Sequence, residues 1–212
     1  MAWAFVLCGA GLLVWSVTHY MLGVIAVEKP KIQSSALTEK TVPTHVKQDI
    51  DLYKKSPEFG DKIGTLTIPV LDMAAPIYHG TSEWILNRGV GHMVESAQPG
   101  ENQQIVLSAH RETLFRRLGE VKYQDDIIIS NDAGDFLYRV KNIRIVDRDD
   151  RSALLPKGEE ALTVTTCYPF QYIGYAPKRY IVEAELISAK IQHREGQEHR
   201  EGQEHREGQE HR

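Results

Sequence analysis

Short runs of apolar and β-branched residues, separated by turn residues, dominate the chain between Lys62 and Ala189. Runs of this length and composition are typical of β-strands. The pattern predicts strands at residues 65–68, 73–78, 104–108, 126–130, 136–146, 161–166 and 179–186. Helical spacing occurs only at 82–87 and 113–118. The pattern therefore predicts an all-β fold, and the number and spacing of the strands favour a closed or nearly closed barrel.

The first 27 residues have a different pattern, because they contain no Asp, Glu, Lys or Arg. A helix needs about 20 such residues to cross the hydrocarbon core of a membrane. The run is also longer than the apolar core of a signal peptide. We therefore expect residues 1–27 to form an uncleaved transmembrane helix that precedes the barrel.

The segment after the apolar run is polar and rich in proline. We interpret residues 28–60 as a stalk with one short helix at 46–53, and residues 61–190 as the folded body. Lys29, Lys31 and Lys40 follow the apolar run, whereas no Lys or Arg precedes it. The positive-inside rule would therefore favour a cytoplasmic body.

The C-terminal segment, residues 191–212, contains the hexapeptide EGQEHR three times in succession. Four of the nine histidines lie in it. Histidines six residues apart do not share a helix face, as ligands at i and i+4 would. We therefore expect a solvated low-complexity tail and not a metal site.

Composition limits the class of protein. The chain has 212 residues, of which 42% are hydrophobic and 25% charged, which is ordinary for one globular domain and excludes a disordered, collagen-like or polytopic membrane protein. The formal net charge is −4, with 25 Lys+Arg against 29 Asp+Glu. The sequence contains no cluster of Lys and Arg of the kind that contacts a phosphate backbone. A nucleic acid is therefore not expected as a partner. Cys8 and Cys167 are not expected to form a disulfide, since Cys8 lies in the apolar run.

Cys167 lies at the end of the predicted strand 161–166, and Pro169 cannot continue the hydrogen-bonding ladder of that strand. A side chain at this position can face a groove, which suits a nucleophile, although a lone cysteine can equally be inert packing. A nucleophilic thiol needs a base and an electrostatic partner.

Three histidines, His79, His92 and His110, are candidate bases. His110 follows the strand 104–108, so its placement mirrors that of Cys167. His92 lies in a predicted turn at 89–92, where a histidine can be purely structural.

Two arginines, Arg179 and Arg111, are candidate cations for the same site. Arg179 is favoured because it opens the strand that follows the cysteine and can run back beside Cys167. A guanidinium there can stabilise a thiolate or a developing oxyanion.

Three stretches of the chain match the motifs of one family. They are His110 within Ser-Ala-His-Arg-Glu-Thr-Leu-Phe (108–115), the stretch 163–167, and Arg179 twelve residues after the cysteine. The second stretch matches Thr-Leu-x-Thr-Cys except that Val164 replaces Leu. In this order the motifs resemble a sortase over residues 63–186, and the continuation Cys-Tyr-Pro-Phe is most similar to class D sortases.

This resemblance implies a cysteine transpeptidase on an eight-stranded β-barrel, held at the outer face of a Gram-positive cell membrane by a single span. Cys167 would attack the bond after Thr in an LPxTG-like sorting signal, or the LPxTA-like variant of class D. His110 would transfer protons, and Arg179 would bind substrate and stabilise the oxyanion. An amine of a peptidoglycan precursor would then release the thioacyl enzyme and join a surface protein to the cell wall.

The resemblance also implies substrate contacts. Thr166 is expected at the oxyanion or the substrate, and the loop 147–160 is expected to recognise the apolar residues of the sorting signal through Leu154, Leu155 and Pro156. No cofactor or metal is expected. An acidic group near this loop could hold calcium, as in some sortases, or could simply be solvated. Its members are Asp147, Asp149, Asp150, Glu159 and Glu160.

Two other classes remain as alternatives. An L,D-transpeptidase-like wall enzyme also uses Cys and His, but its Ser-x-Gly-Cys-x-Arg motif is missing. A membrane-tethered, non-catalytic β-barrel binding module would explain the strands and the apolar segment. It would not explain why Cys167, His110 and Arg179 lie at three strand boundaries.

Overall fold

The computed structural model describes residues 8–18, 52–53, 55–152, 159–171 and 174–192. The strands, in chain order, are β1 (Lys62–Ile68), β2 (Met73–His79), β3 (Val90–His92), β4 (Gln104–Ser108), β5 (Asp126–Asn131), β6 (Gly134–Asp147), β7 (Ala161–Tyr168) and β8 (Lys178–Ile191). The α-helices are α1 (8–18) and α2 (Glu83–Leu86), and short 3₁₀ helices lie at Pro69–Leu71 and Leu118–Glu120.

The eight strands close into one barrel with the order β1-β2-β3-β4-β7-β8-β6-β5. Pairing of β1 with β5 completes the closure. The pairs β2–β3 and β4–β7 are parallel, and the other pairs are antiparallel. The all-β closed barrel expected from the strand pattern is therefore confirmed.

Alternation along β7 separates the barrel interior from its outer surface. Leu162 and Val164 are fully buried in the hydrophobic core, together with Val182 and Ala184 of the neighbouring β8. Successive side chains of a strand point to opposite faces. Cys167 therefore belongs to the outer face of the strand.

Two local predictions differ from the structure. Residues 90–92 were predicted as a turn but form β3, which is held between β2 and β4. Residues 113–118 were predicted as a helix, but they make successive turns that lead into the 3₁₀ helix Leu118–Glu120. Leu114, Phe115 and Leu118 are buried there. The helix-like spacing therefore reflects a segment of turns whose apolar side chains pack on the core. The predicted helix at 82–87 is confirmed as α2.

The end of β7 that lies away from Cys167 carries a buried carboxylate. Glu160 accepts hydrogen bonds from the Tyr138 hydroxyl at 2.6 Å and the Gly100 amide at 3.0 Å, and from the Asn102 amide at 3.4 Å. Burial is the largest influence on this group and raises the pKa of Glu160. Burial, followed by the charge of Glu160, raises the pKa of Tyr138, so that its hydroxyl remains a donor. The network joins the turn at 99–102 to β6 and β7.

Several predicted segments lie wholly or partly outside the described residues. These are most of the expected anchor 1–27 and stalk 28–60, and the tail from 193 onward. Within the described ranges, no helix has both the length and the apolar character that a membrane crossing requires. Cys8 and Cys167 are both free thiols.

Candidate active site

Strand register brings three of the predicted functional residues to one end of the barrel. Cys167 of β7 pairs with Arg179 of β8, and residues paired across two strands share a face. Ser108 of β4 pairs with Thr165 of β7. His110 follows Ser108 by two residues, so the β4–β7 register, continued past the end of β4, places it level with Cys167. The register thus gathers the thiol, the imidazole and the guanidinium on adjacent strand ends.

Backbone and side-chain hydrogen bonds extend the pairing of β4 with β7 up to the site. The amide of Ala109 donates to the Thr165 carbonyl at 3.4 Å. The hydroxyl of Thr166 donates to the Ala109 carbonyl at 2.7 Å, and Thr166 is only 4% exposed. The residue before Cys167 therefore fixes the backbone immediately before His110, with its hydroxyl turned away from the outer face.

The three side chains at this end have few hydrogen-bond partners. The Cys167 thiol is half-buried. Arg179 is also half-buried, and its Nη1 donates to the Lys178 carbonyl at 3.0 Å. The Nε2 atom of His110 is buried without a hydrogen-bond partner among the described residues, and the Glu83 carboxylate is 3.8 Å from it. This separation is longer than a hydrogen bond, so no hydrogen bond from a described residue fixes this nitrogen.

Arg111, the other candidate cation, has a different environment. It is 3% exposed, and its guanidinium donates to the carbonyls of Pro169 and Gly174 and to the carboxylate of Glu112. Its charge is therefore directed at the connection between β7 and β8. The structure pairs Cys167 with Arg179 and not with Arg111.

His79 and His92 form a buried pair where β2 meets β3. Their rings stack with centroids 5.2 Å apart, and their Nδ1 atoms are 3.0 Å apart. His92 Nε2 lies 2.8 Å from the Ala97 carbonyl, which can only accept, so the neutral His92 carries its proton on Nε2. His79 Nδ1 then donates to His92 Nδ1. The two rings are hydrogen-bonded to each other, which agrees with a structural role for His92.

A family model for the sortase domain matches residues 66–187, more than half of the chain. The chain belongs to the sortase family. Sortase D of Bacillus subtilis (strain 168) is 45% identical over 133 residues, which are 62% of this chain and 67% of that protein. The solved catalytic domain of Bacillus anthracis SrtD is 38% identical with a TM-score of 0.57, over 66% of this chain and 97% of that chain.

A second solved structure, sortase C1 of GBS pilus island 1, is 32% identical with a TM-score of 0.56. That match covers 60% of this sortase and 66% of the solved chain, slightly less than two thirds of its length. The cysteine transpeptidase class predicted from the sequence is confirmed by these relatives. The L,D-transpeptidase-like enzyme and the non-catalytic binding module are therefore set aside.

Sequence reasoning did not single out the residues beside Cys167 on the outer face of the sheet. Thr165 pairs with Ser108 on one side and with Ile181 on the other, and all three alternate onto the face that carries Cys167. Thr165 and Ser108 are half-buried, whereas Ile181 is buried. The signal was available in the sequence, because Ser108 and Thr165 each precede a predicted functional residue by two positions.

The connection between β7 and β8 is also attached to the residues that follow β6. The Arg148 amide donates to the Pro177 carbonyl at 3.0 Å. The Arg148 guanidinium lies 3.8 Å from the centre of the Tyr175 ring, a cation–π geometry. The two connections that flank the Cys167–Arg179 pair are therefore joined to each other.

The predicted recognition residues Leu154, Leu155 and Pro156 lie outside the described residues. Of the acidic residues considered for calcium, Glu160 is bound in the Tyr138 network, Asp149 pairs with Arg148, and Asp150 accepts from the Ser152 amide. Among the described residues, no three His, Cys, Asp or Glu side chains converge as metal ligands.

Proposed function

We propose that this sortase cleaves an LPxTG-like sorting signal, of the LPxTA-like type associated with class D, after Thr and transfers the acyl group to a peptidoglycan amine. The observation that carries the proposal is the register pairing of Cys167 with Arg179, with His110 on the adjacent strand end. The match to sortase D proteins supports the class.

In the first half-reaction, the Cys167 thiol proton resides on His110, and the thiolate Sγ attacks the carbonyl carbon of the Thr residue. The C–S bond forms, and the C–N bond breaks when His110 donates a proton to the leaving amine. Arg179 lies beside the thiol and can donate to the carbonyl oxygen as negative charge develops on it. A positioned donor of this kind is worth about 10²-fold to 10³-fold in rate.

In the second half-reaction, an acceptor amine attacks the thioester. His110 removes a proton from the attacking nitrogen, the C–N bond forms, and the thiolate leaves. One imidazole therefore acts first as an acid and then as a base. The unpartnered Nε2 atom of His110 supports this role, because no intramolecular hydrogen bond must be broken first.

Thr166 has a role other than direct substrate contact in this proposal. Its hydroxyl is occupied by the Ala109 carbonyl, so we assign it to positioning His110. Ser108 and Thr165 supply hydroxyls on the open face and are better placed to contact the sorting signal. Recognition of its apolar residues by Leu154, Leu155 and Pro156 remains a prediction.

The location of the enzyme is part of the proposal. Surface proteins and peptidoglycan amines meet outside the cell membrane, so the body must be extracellular and residues 1–27 must be its single-pass anchor. Lys29, Lys31 and Lys40 give the opposite charge bias. We favour the functional argument, because the charges are few. Digestion of the body by protease in intact protoplasts would support it, whereas digestion only after lysis would contradict it.

Mass spectrometry of the acyl-enzyme tests the chemistry. The protein is incubated with peptides carrying LPxTG, LPxTA or a scrambled signal, and the adduct mass identifies the bond that is cleaved. We expect an adduct that ends in Thr, formed fastest with LPxTA. Labelling of Cys167 by a vinyl sulfone should be slowed by the same peptides. An adduct that also forms on Cys167→Ala would overturn the proposal.

A further inference from the structure

The guanidinium of Arg111 bridges two points of the backbone that joins the cysteine strand to the arginine strand. Its Nη1 donates to the Pro169 carbonyl at 3.2 Å, and its Nη2 donates to the Gly174 carbonyl at 2.9 Å. Its Nε donates to the Glu112 carboxylate at 2.7 Å. The side chain is 3% exposed, so this is a buried, planar fork and not a surface contact.

The chain positions of these partners connect Arg111 to all three functional residues. Arg111 directly follows His110, Pro169 is two residues beyond Cys167, and Gly174 is five residues before Arg179. One side chain therefore ties the backbone of the imidazole to both described parts of the β7–β8 connection, 169–171 and 174–177.

We propose that Arg111 is a positioning residue that holds the β7–β8 connection against His110 and so keeps Cys167 and Arg179 in register with the imidazole. This inference rests on the roles proposed above for those three residues. Arg111 does not touch the substrate; it acts on the spacing of the groups that do.

A lysine cannot perform the same task. An arginine presents its donors in a rigid planar fork, whereas a lysine ends in a single ammonium group. Arg111→Lys keeps the buried charge and its partner Glu112 but cannot span both carbonyls. A misplacement of about 1 Å between reacting groups can reduce a rate by about 10²-fold. We expect kcat to fall by about 10-fold or more, because the reacting groups are less well aligned.

The KM for a sorting peptide should change little. Ser108, Thr165 and Ile181, which lie beside Cys167 on β4, β7 and β8, are not among the residues that Arg111 binds through Nε, Nη1 and Nη2. The β7–β8 connection lies beside the thioester, so its loosening should admit water. The ratio of transfer to hydrolysis should therefore fall together with kcat.

The experiment measures kcat, KM and the transfer-to-hydrolysis ratio for the full chain and its Arg111→Lys and Arg111→Ala variants. All proteins carry Cys8→Ser, because Cys8 is a second free thiol. Rates are expressed per functional Cys167, counted as the vinyl sulfone labelling that a sorting peptide prevents, so that unfolded protein is not counted. Methylguanidinium is then added to Arg111→Ala. We expect methylguanidinium to restore part of kcat, because it can replace the planar donor group that the variant lacks. Methylammonium should not restore it. Arg117→Lys is the matched control, since Arg117 forms an exposed ion pair with Glu120.

A second variant approaches the same contact from the other partner. Gly174 has φ +103°, a backbone conformation that an L-residue rarely adopts, although nothing lies near an added Cβ. Gly174→Ala should shift the carbonyl that Arg111 binds and lower kcat. In the Arg111→Lys background its effect should be much smaller, since residues that act through one contact are not additive.

The outcomes separate this inference from the proposed function. If the wild type is active through Cys167 and Arg111→Lys keeps its kcat and transfer ratio per thiol, the positioning role is wrong. The same conclusion follows if activity is lost only in proportion to the reactive thiol, which would indicate a purely structural arginine. If wild-type activity does not depend on Cys167, His110 and Arg179, the proposed function itself fails.

Discussion

The two ends of strand β7 carry polar groups in opposite states. At one end the buried carboxylate of Glu160 has three donors, namely the Tyr138 hydroxyl and the Gly100 and Asn102 amides. At the other end Cys167 is a half-buried free thiol, and the neighbouring His110 has a buried nitrogen without a hydrogen-bond partner among the described residues. Glu160 and Cys167 are about 23 Å apart along the strand, because a strand rises about 3.3 Å per residue.

The difference separates stability from chemistry within one strand. A buried polar group with all its hydrogen-bond partners stabilises one defined fold. Removing that group leaves its partners buried without hydrogen bonds, which lowers the free energy of unfolding. A group that lacks partners costs stability but can interact with a substrate. We therefore expect substitutions at the Glu160 end to change unfolding and those at the Cys167 end to change activity.

The largest effect is expected from the three groups at the open end. Cys167→Ala should abolish the thioester, and His110→Ala and Arg179→Ala should slow turnover by at least about 10²-fold. All three should unfold within about 1 kcal/mol of the wild type. Turnover of a sorting peptide and thermal unfolding measure the two quantities. Lys178→Ala, an exposed neighbour, should be unchanged; full activity of His110→Ala would end the assignment.

The second effect is expected at the paired end. Glu160→Ala leaves the Tyr138 hydroxyl and two backbone amides without their acceptor, which should lower the free energy of unfolding by about 3 kcal/mol. The rate per reactive thiol should stay within about two-fold of the wild type, a smaller change than the loss of a positioned group. Denaturant unfolding and vinyl sulfone titration give both values. Glu159→Ala is the control, because Glu159 is exposed; equal destabilisation by the two would contradict the network.

A third effect concerns pH. Burial raises the pKa of Glu160 above its ordinary value of about 4.5. Between that value and the raised one, the folded state binds more protons than the unfolded state, so stability should fall as pH rises through this window. Glu160→Gln removes the titration and should flatten the stability profile there. A profile that keeps its slope in the variant would show that another group is responsible.

The smallest effect is expected at the histidine pair, where the pH dependence of stability has the opposite sign to that of Glu160. Burial lowers the pKa of His92, against the hydrogen bond to Ala97. As pH falls through the ordinary value of about 6.5, the unfolded state takes up the proton first, and the folded state loses stability. His92→Gln in the Glu160→Gln background should reduce this loss between pH 7 and 5.5. If stability fell equally steeply with decreasing pH in the variant, His92 would be excluded as the source of the loss.

The barrel was largely predictable because most of its strands are dense in Val, Ile, Thr and aromatic residues. β3 was not, because it is only three residues long and Gly91 and His92 carry little strand propensity. It becomes a strand only between β2 and β4. Gly91 is needed there, since an added Cβ would lie 2.6 Å from the Gly80 carbonyl. Such a requirement arises from tertiary packing, which local propensity does not contain.

The sequence allowed us to predict which residue types form the candidate site and that they lie at the ends of strands. Cys167 and Arg179 lie on sequential antiparallel strands, so their meeting follows from a simple return of the chain. His110 reaches them only through the parallel pair β4–β7, whose register cannot be read from spacing. The role proposed for Arg111 was also hidden, because it rests on the backbone carbonyls of Pro169 and Gly174, and a backbone acceptor leaves no trace in the sequence.

The chain enters and leaves the barrel on the same side. Residues 55–57, before β1, and Gln192, after β8, line one groove of about 640 Å³ together with the β5–β6 turn. This is the side away from Cys167. A linker attached at either end would therefore hold the enzyme with its thiol facing outward. Immobilised on a bead or displayed on a particle, the barrel would leave its Cys167 end accessible to substrates as large as whole proteins.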